Sequence, residues 1–208
     1  MNRENFFRKF DKIVEGFGEK KPRLLLHSCC GPCSSSVIEL LTKHFDVTVL
    51  WYNPNLWPES EYEKRLETQK KLISCLAEDG AASQLTVLPW RSEDYFSRIK
   101  GLEHEPEEGA RCLECFRLRL EETAKLASER GFDWFCTTLT VSSRKDAVAI
   151  NAIGRAAAEK YGVSWLPSEF KKREGNHRSI ILSEKYGLYR QEYCGCVFSL
   201  NSHGGTDE

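Results

Sequence analysis

The sequence lacks an excess of charge of either sign. Its 30 basic and 31 acidic residues leave a net charge of −1, so the chain as a whole does not have the basic balance that is common among nucleic-acid-binding proteins. It also has no apolar run near the roughly 18 residues of a membrane span. Its first residues, MNRENFFRKF, contain no continuous apolar segment of the kind found in secretory signals. We therefore predict a cytoplasmic protein with no membrane partner.

Cysteine, in contrast, is abundant. The chain contains nine cysteines, at positions 29, 30, 33, 75, 112, 115, 136, 194 and 196. A chain of 208 residues buries enough apolar surface to fold without disulfides, and the reducing cytoplasm disfavours permanent ones. Clustered cysteines in such a protein indicate metal ligands or a redox couple.

Short apolar runs alternate with helix-patterned segments along the chain, and this alternation predicts an α/β fold with a mostly parallel sheet flanked by helices. The strands are predicted at 24–27, 47–52, 85–88, 132–138 and 163–166, and the main helices at 59–78, 112–130 and 146–161. Ligands of such sheets usually bind beyond the carboxyl ends of the strands. We therefore expect a metal site at that edge.

The whole chain, 1–208, is predicted to form a single domain. Residues 1–22 are expected to be an N-terminal helical extension, and residues 201–208 a flexible tail. Within the predicted helix at 59–78, Glu61 and Arg65 are spaced as an i,i+4 pair of opposite charges in the favourable order.

Two groups of cysteines are positioned for metal binding. Cys29, Cys30 and Cys33 lie in the sequence HSCCGPC, where a predicted strand turns into a helix, and Cys112 and Cys115 open a later helix with CxxC spacing. If both groups meet above the sheet edge, they supply four or five thiolates, which suits a zinc ion or a four-iron cluster. The adjacent cysteines favour iron, because the several metal corners of a cluster accommodate crowded sulfurs more readily than one tetrahedral ion does.

A third group lies near the C-terminus, where Cys194 and Cys196 flank Gly195. A bond between residues two apart closes a very small loop, and the conformational freedom of glycine makes that closure possible. Such a bond is strained and easily reduced, which is typical of catalytic pairs. We predict a two-electron store; two further metal ligands, or two passive thiols, are the alternatives. Cys75 and Cys136 are predicted to be small buried hydrophobic residues.

With these groups in view, the chain resembles the QueH family of epoxyqueuosine reductases, which do not use cobalamin. The matching stretches are LLLHSCCGPCSS, RCLECFRLRLEETA, FDWFCTTLTVSSRKD and YRQEYCGCVFS, in that order over residues 24–198. The resemblance implies a Rossmann-like fold similar to that of the nucleotide α-hydrolase group. It also implies removal of the epoxide oxygen from epoxyqueuosine at the wobble position of tRNA.

The resemblance further implies the cofactor and the residues that hold it. The ligands of a 4Fe–4S cluster would be Cys29, Cys30, Cys112 and Cys115. The redox-active disulfide would form between Cys194 and Cys196. An additional mononuclear iron is a family feature, and we expect it at Cys33.

The implied reaction turns an epoxide into an alkene and water, which consumes two electrons and two protons. Oxidation of the Cys194/Cys196 dithiol to a disulfide supplies that number of electrons, and an unidentified electron donor must then restore the dithiol. The candidate proton donors are His27, which lies next to the first cysteine group, and Lys145, which lies in the SSRKD turn.

An RNA substrate suggests further binding residues. The target base lies in an exposed anticodon loop and can be splayed into a pocket. The aromatic residues that we consider for stacking on it are Trp51, Tyr52, Trp57, Tyr189 and Tyr193. The basic stretch KKREGNHR, residues 171–178, is predicted to be a loop; it is either a solvated surface loop or, with an RNA substrate, a contact for backbone phosphates. Its cationic residues are Lys171, Lys172, Arg173 and Arg178.

Two other functions remain open at the level of sequence. The first is an ATP-dependent tRNA-thiolation enzyme of the same general fold, in which a Ser-Gly-Gly-x-Asp-Ser loop holds pyrophosphate; here HSCCGPCSS occupies that place. The second is a non-catalytic RNA-binding module that zinc holds together, which predicts a colourless protein that unfolds with chelator.

Overall fold

The computed structural model describes residues 5–172 and 174–202. Five strands form one sheet: β1 (Arg23–Ser28), β2 (Asp46–Trp51), β3 (Gln84–Val87), β4 (Trp134–Thr137) and β5 (Ser164–Trp165). The helices of the described chain are α1 (Phe6–Glu15), α2 (Gly31–Leu41), α3 (Glu59–Glu78), α4 (Ser92–Arg98), α5 (Ala110–Glu129), α6 (Ala147–Tyr161), α7 (Gly175–Lys185) and α8 (Val197–Ser202). A 3₁₀ turn, Thr138–Val141, follows β4 directly.

The strand order, β3-β2-β1-β4-β5, determines where a ligand can bind. All four strand pairs are parallel, as predicted. The chain leaves β1 for β2 on one side and later places β4 on the other, so the order reverses between β1 and β4. Crevices beyond the carboxyl ends of strands at such a reversal are the usual ligand sites of open α/β sheets. Here that crevice lies between Ser28 and Thr137.

The apolar strand residues form the core because helices cover both faces of the sheet. Leu24, Leu25 and Leu26 in β1 are fully buried, as expected for a central parallel strand, which is typically a continuous apolar run. Helix α1 packs on the same core through Phe10, whose ring makes an edge contact with Phe170. The predicted N-terminal helical segment is therefore helical at 6–15 and packed; residues 1–4 lie outside the described part of the chain.

The sequence-based boundaries agree with the structure to within one or two residues in most elements. The helix at 59–78 has the predicted bounds, whereas α5 starts at Ala110, two residues before the prediction. The fourth predicted strand is too long, since Thr138 already begins the 3₁₀ turn. No described helix is long and apolar enough to span a membrane.

Two predictions about loops need correction. The stretch 171–178 is not entirely a loop, because α7 begins at Gly175. The predicted tail starts too early, because Asn201 and Ser202 belong to α8. Arg173 and residues 203–208 lie outside the described residues.

Candidate metal centre and dithiol segment

Six cysteines from three distant segments of the chain line one cavity of about 410 Å³ beyond the carboxyl edge of the sheet. They are Cys29, Cys33, Cys112, Cys115, Cys194 and Cys196. This volume lies within the usual range of small-molecule sites, about 300–1,000 Å³. Cysteines of all three groups therefore line one cavity at the carboxyl edge of the sheet, the edge at which a metal site was predicted.

The first group is formed where β1 turns into α2. Cys30 caps α2, and its sulfur accepts hydrogen bonds from the Cys33 backbone N–H, at 3.3 Å, and from Gln191 Nε2, at 3.0 Å. This turn brings the sulfurs of Cys29, Cys30 and Cys33 within 4.8 Å of one another. The Cys29 backbone N–H donates to Thr138 Oγ1 of the 3₁₀ turn at 3.2 Å, which fixes the group at the crevice between β1 and β4.

Three crowded thiols cannot all ionise alike. Hydrogen bonds from the Cys30 and Cys33 side chains lower the pKa of Cys29 well below its ordinary value. Burial raises the pKa of Cys30 to about 12, and the bond to Cys29 raises that of Cys33. A metal that binds all three sulfurs must displace protons from the two thiols that remain protonated. Soft sulfur donors at this spacing fit zinc or iron–sulfur chemistry.

The second group lies in the first turns of α5. The Cys112 sulfur accepts a hydrogen bond from the Glu108 backbone N–H at 3.3 Å, and Cys115 is buried. Burial raises the pKa of Cys115 to about 12 and also raises that of Cys112. Both cysteines line the cavity, but neither belongs to the three-sulfur cluster, in which Cys33 rather than Cys112 or Cys115 accompanies Cys29 and Cys30.

The third group, Cys194-Gly195-Cys196, holds two free thiols in a segment between α7 and α8. Arg65 in α3 donates to the Cys194 carbonyl from Nη1, at 3.2 Å, and to the Tyr193 carbonyl from Nη2, at 3.3 Å. The Trp57 backbone N–H donates to the Gly195 carbonyl at 2.8 Å. These contacts attach the dithiol segment to the wall of the cavity.

Gly195 is required by both backbone and space, because its φ is +122° and a Cβ there would lie 2.4 Å from Leu56 Cδ2 and 2.8 Å from Arg65 Nη1. We expect Gly195→Ala to destabilise the fold by about 2–4 kcal/mol, from left-handed strain plus overpacking. Urea unfolding measures this loss. Gly80→Ala is the matched control, since Gly80 also has a positive φ but a Cβ there would have no neighbouring atom of the described chain within 4 Å. Equal losses in the two variants would contradict the close packing around Gly195.

Two cations lie beside the sulfurs, Arg119, which is buried, and Lys145, which is half-buried. Arg119 is only 2% exposed, and its Nε donates to the Cys115 carbonyl at 3.1 Å. Burial alone would lower the pKa of Lys145, but the charges of Cys194, Cys29 and Cys33 raise it above its ordinary value. Both side chains line the cavity, so it can hold several thiolates or an anionic metal cluster without an unpaired buried charge.

The two candidate proton donors differ in position. Lys145 lines the cavity, whereas His27 does not. The His27 ring lies within 2.8 Å of Thr137 Oγ1 and 3.2 Å of the Tyr52 carbonyl, so both ring nitrogens are occupied. Burial and Arg119 lower the pKa of His27 to about 3. His27 is therefore a neutral structural residue, and Lys145 is the better candidate.

The five aromatic residues that were considered for stacking on RNA differ in how far they are buried. Trp51 and Tyr52 are buried core residues, so of the five candidates these two are structural and do not stack on a base. Tyr193 lines the cavity, and its hydroxyl donates to the Trp57 carbonyl. Trp57 and Tyr189 are half-buried.

The basic stretch is largely balanced by acidic partners. Lys172 pairs with Glu169 at 2.7 Å, and Arg178 pairs with Glu39 at 2.5 Å. Lys171 Nζ donates to the Lys145 carbonyl at 3.1 Å. Phosphate contact by this stretch therefore remains a prediction, and its described cations already have protein partners.

Three residues that sequence reasoning missed also line the cavity. The side-chain amide oxygens of Asn53, Asn55 and Gln191 are buried and have no hydrogen-bond partner among the described residues. Buried acceptors of this kind need a donor, so they suit a ligand with N–H or O–H groups. The sequence could have indicated Asn53 and Asn55, because Asn-Pro-Asn follows β2 at its carboxyl end, where ligands usually bind.

The two cysteines predicted to be small buried hydrophobic residues differ in exposure. Cys136 is fully buried, as predicted, and Cys75 is half-buried.

Comparison with known proteins gives one consistent match. The family model described as "Epoxyqueuosine reductase QueH" matches residues 24–202. A protein of that name from Staphylococcus epidermidis is 40% identical over 207 residues, covering 98% of this chain and 87% of the relative. A protein of the same name from Streptococcus pyogenes is 40% identical to this chain, covering 88% of this chain and 72% of the relative. One from Thermotoga maritima is 38% identical, covering 85% of this chain and 90% of the relative.

Proposed function

This chain belongs to the epoxyqueuosine reductase QueH family, and we propose that it removes the epoxide oxygen of epoxyqueuosine at the wobble position of tRNA, with Cys194 and Cys196 supplying the electrons. The observation that carries this assignment is the single cavity in which six cysteines meet. A protein with this family membership and this cysteine cluster carries a metal or iron–sulfur cofactor.

The dithiol accounts for the stoichiometry of the reaction. Loss of the epoxide oxygen as water, with formation of an alkene, consumes two electrons and two protons. Oxidation of the Cys194 and Cys196 thiols to a disulfide releases two of each. An external donor, whose identity is open, then reduces the disulfide. Both thiols are free in the structure and line the cavity, as this role requires.

The cofactor that we propose is a 4Fe–4S cluster held by Cys29, Cys30, Cys112 and Cys115. The donor set fits, because Cys29, Cys112 and Cys115 line one cavity with cations beside them, and the Cys30 sulfur lies within 4.8 Å of the Cys29 sulfur. Cys33 is the proposed ligand of an additional iron, and its sulfur lies within 4.8 Å of those of Cys29 and Cys30. When bound, iron of this kind supplies electron transfer and Lewis acidity toward an epoxide oxygen.

Other residues of the cavity bind and orient the substrate. An unpaired anticodon base enters such a pocket without the cost of melting a duplex. The free amide oxygens of Asn53, Asn55 and Gln191 accept hydrogen bonds from its polar groups. Lys145 is positively charged at neutral pH and lines the cavity, so it can deliver a proton to the departing oxygen.

A turnover assay tests this function. Protein purified without air is expected to be brown, to contain iron and sulfide, and to convert epoxyqueuosine tRNA to queuosine tRNA under a strong reductant, with loss of one oxygen by mass spectrometry. The same preparation is expected to release no pyrophosphate from ATP. Pyrophosphate release would indicate the thiolation enzyme instead. A colourless protein that holds zinc and unfolds with chelator would indicate the RNA-binding module.

A further inference from the structure

A smaller pocket of about 290 Å³ lies beside the cysteine cavity. The two are adjacent, because they share four lining residues: Cys33, Ser142, Arg144 and Gln191. The smaller pocket adds Ser143, Asn176, Ser179 and Arg190 to its polar lining. Its lining includes no carboxylate among the described residues, so its only charged side chains there are two arginines.

These two arginines are better placed for an external anion than the basic stretch 171–178. Within residues 5–172 and 174–202, neither Arg144 nor Arg190 forms a salt bridge, whereas Lys172 and Arg178 do. Arg190 donates from Nη1 to Ser183 Oγ at 3.2 Å, which leaves most of its five N–H groups available. Both side chains are exposed, so an incoming ligand can reach them.

The chemistry of this pocket suits a phosphate group. Guanidinium groups bind phosphate oxygens in a forked geometry, and the hydroxyls of Ser142 and Ser143 add neutral donors. The pocket also includes Asn176, in the first turn of the 11-residue helix α7. The unpaired N–H groups at the start of a helix favour a nearby anion.

We propose that this pocket binds a phosphodiester of the RNA backbone next to the modified nucleotide, through Arg144 and Arg190. The inference rests on the proposed function, because it requires a base of tRNA in the cysteine cavity. A base in that cavity leaves its ribose and flanking phosphates outside it, and the adjoining pocket shares the exposed Arg144 with the cavity. A phosphate contact of this kind fixes the register of the RNA without reading its sequence.

Binding of an anticodon stem-loop RNA that contains epoxyqueuosine tests the proposal. Fluorescence anisotropy is expected to show about tenfold weaker binding for the variant Arg144→Gln/Arg190→Gln. The slope of log K against log salt should become shallower by about 0.7 for each single-strand phosphate that the variant no longer neutralises. A neutral methylphosphonate, placed in turn at each linkage that flanks the modified nucleotide, should weaken wild-type binding by a similar factor at one position. The double variant should bind the RNA with that methylphosphonate no more weakly than it binds the RNA with normal phosphodiester linkages.

The matched control is Lys125→Gln/Arg130→Gln, which removes the same charge from exposed positions at the far end of α5. Lys125 lies 13 residues beyond Cys112, or about 20 Å along the helix axis, and the control is expected to bind like wild type. The proposal would be overturned if the arginine substitutions and the methylphosphonate weakened binding independently, so that their effects multiply. It would also be overturned if Arg144→Gln/Arg190→Gln bound the RNA as tightly as the control does. A third contrary result is that inorganic phosphate competes with the RNA while a methylphosphonate at either flanking linkage leaves wild-type binding unchanged.

Turnover of the same RNA separates this inference from the proposed function. If wild type removes the epoxide oxygen but Arg144→Gln/Arg190→Gln binds like the control, only the phosphate site is wrong. If wild type binds the RNA with the expected arginine dependence but leaves the epoxide intact, the proposed reaction is wrong and the phosphate site stands. A wild-type protein that does not bind the RNA overturns both.

Discussion

Serine in place of Cys112 is expected to abolish the absorbance near 400 nm and most of the bound iron, whereas serine in place of Cys194 should keep both and stop turnover. The reason is the proposed division of roles, in which Cys112 is a ligand and Cys194 stores electrons. Loss of one of four thiolate ligands removes the cluster, while loss of one thiol leaves no disulfide to form. Iron and sulfide analysis, visible spectra and turnover of epoxyqueuosine tRNA on the same preparations measure the difference.

Cys75→Ser is the matched control. Cys75 lies on α3, is half-buried and does not line the cavity, so its replacement should leave iron content and turnover unchanged. A colourless Cys194→Ser protein would place Cys194 in the metal site and end the division of roles. Iron retained in full by Cys112→Ser would remove Cys112 from the proposed ligands and would favour the three-sulfur cluster of Cys29, Cys30 and Cys33.

Arg65→Met is expected to cost about 3–5 kcal/mol in the free energy of unfolding, because it leaves the buried carboxylate of Glu61 without its charged partner. The Arg65–Glu61 pair is 2.7 Å long, and its side chains are only 2% and 11% exposed. The variant also loses the bonds to the Cys194 and Tyr193 carbonyls. Turnover should therefore fall with stability. Urea unfolding at fixed iron content, with turnover measured at low urea, checks both effects.

Lys70→Met on the same helix is the control for Arg65→Met. Lys70 pairs with Glu67 at 2.6 Å, but the two side chains are 50% and 70% exposed, and such surface pairs contribute about 0–1 kcal/mol. Adding Glu61→Gln to Arg65→Met should recover part of the lost stability, because it removes the stranded charge. Losses of the same size for Arg65→Met and Lys70→Met would show that the Glu61 pair is not effectively buried.

Much of the fold could be predicted because parallel strands have a strong local signal. The run Leu24–Leu26 identifies a strand buried on both faces, and glycine or charged turns mark the ends of the helices. The convergence of the cysteine groups followed from the same logic, since HSCCGPC comes directly after β1. The sequence alone also placed Gly195 between two thiols, although its close contact with Leu56 and Arg65 needed the structure.

What could not be predicted depends on contacts between distant segments. Glu61 and Arg65 have the spacing of a surface i,i+4 pair, yet the pair is buried because the dithiol segment packs over it, 128 or more residues later in the chain. Trp51 and Tyr52 lie in a predicted strand, but only the packing of neighbouring strands and helices shows that both are enclosed and closed to a base. The partners of Lys172 and Arg178 are likewise set by packing, so a dense basic stretch in the sequence did not become a free cationic surface.

The attachment of the dithiol segment to the cavity wall has a consequence for biosynthesis. During translation, the residues up to Cys115 emerge long before Cys194, so all the proposed iron ligands are available while the cavity still lacks its last wall. Iron and sulfide can then be loaded through an open face. Once Gln191 contacts Cys30 and Gly195 contacts Trp57, the same face is closed by the segment that carries the proposed electron-storing thiols. Nascent chains stalled before residue 190 should thus accept iron faster, and lose it faster, than the finished protein.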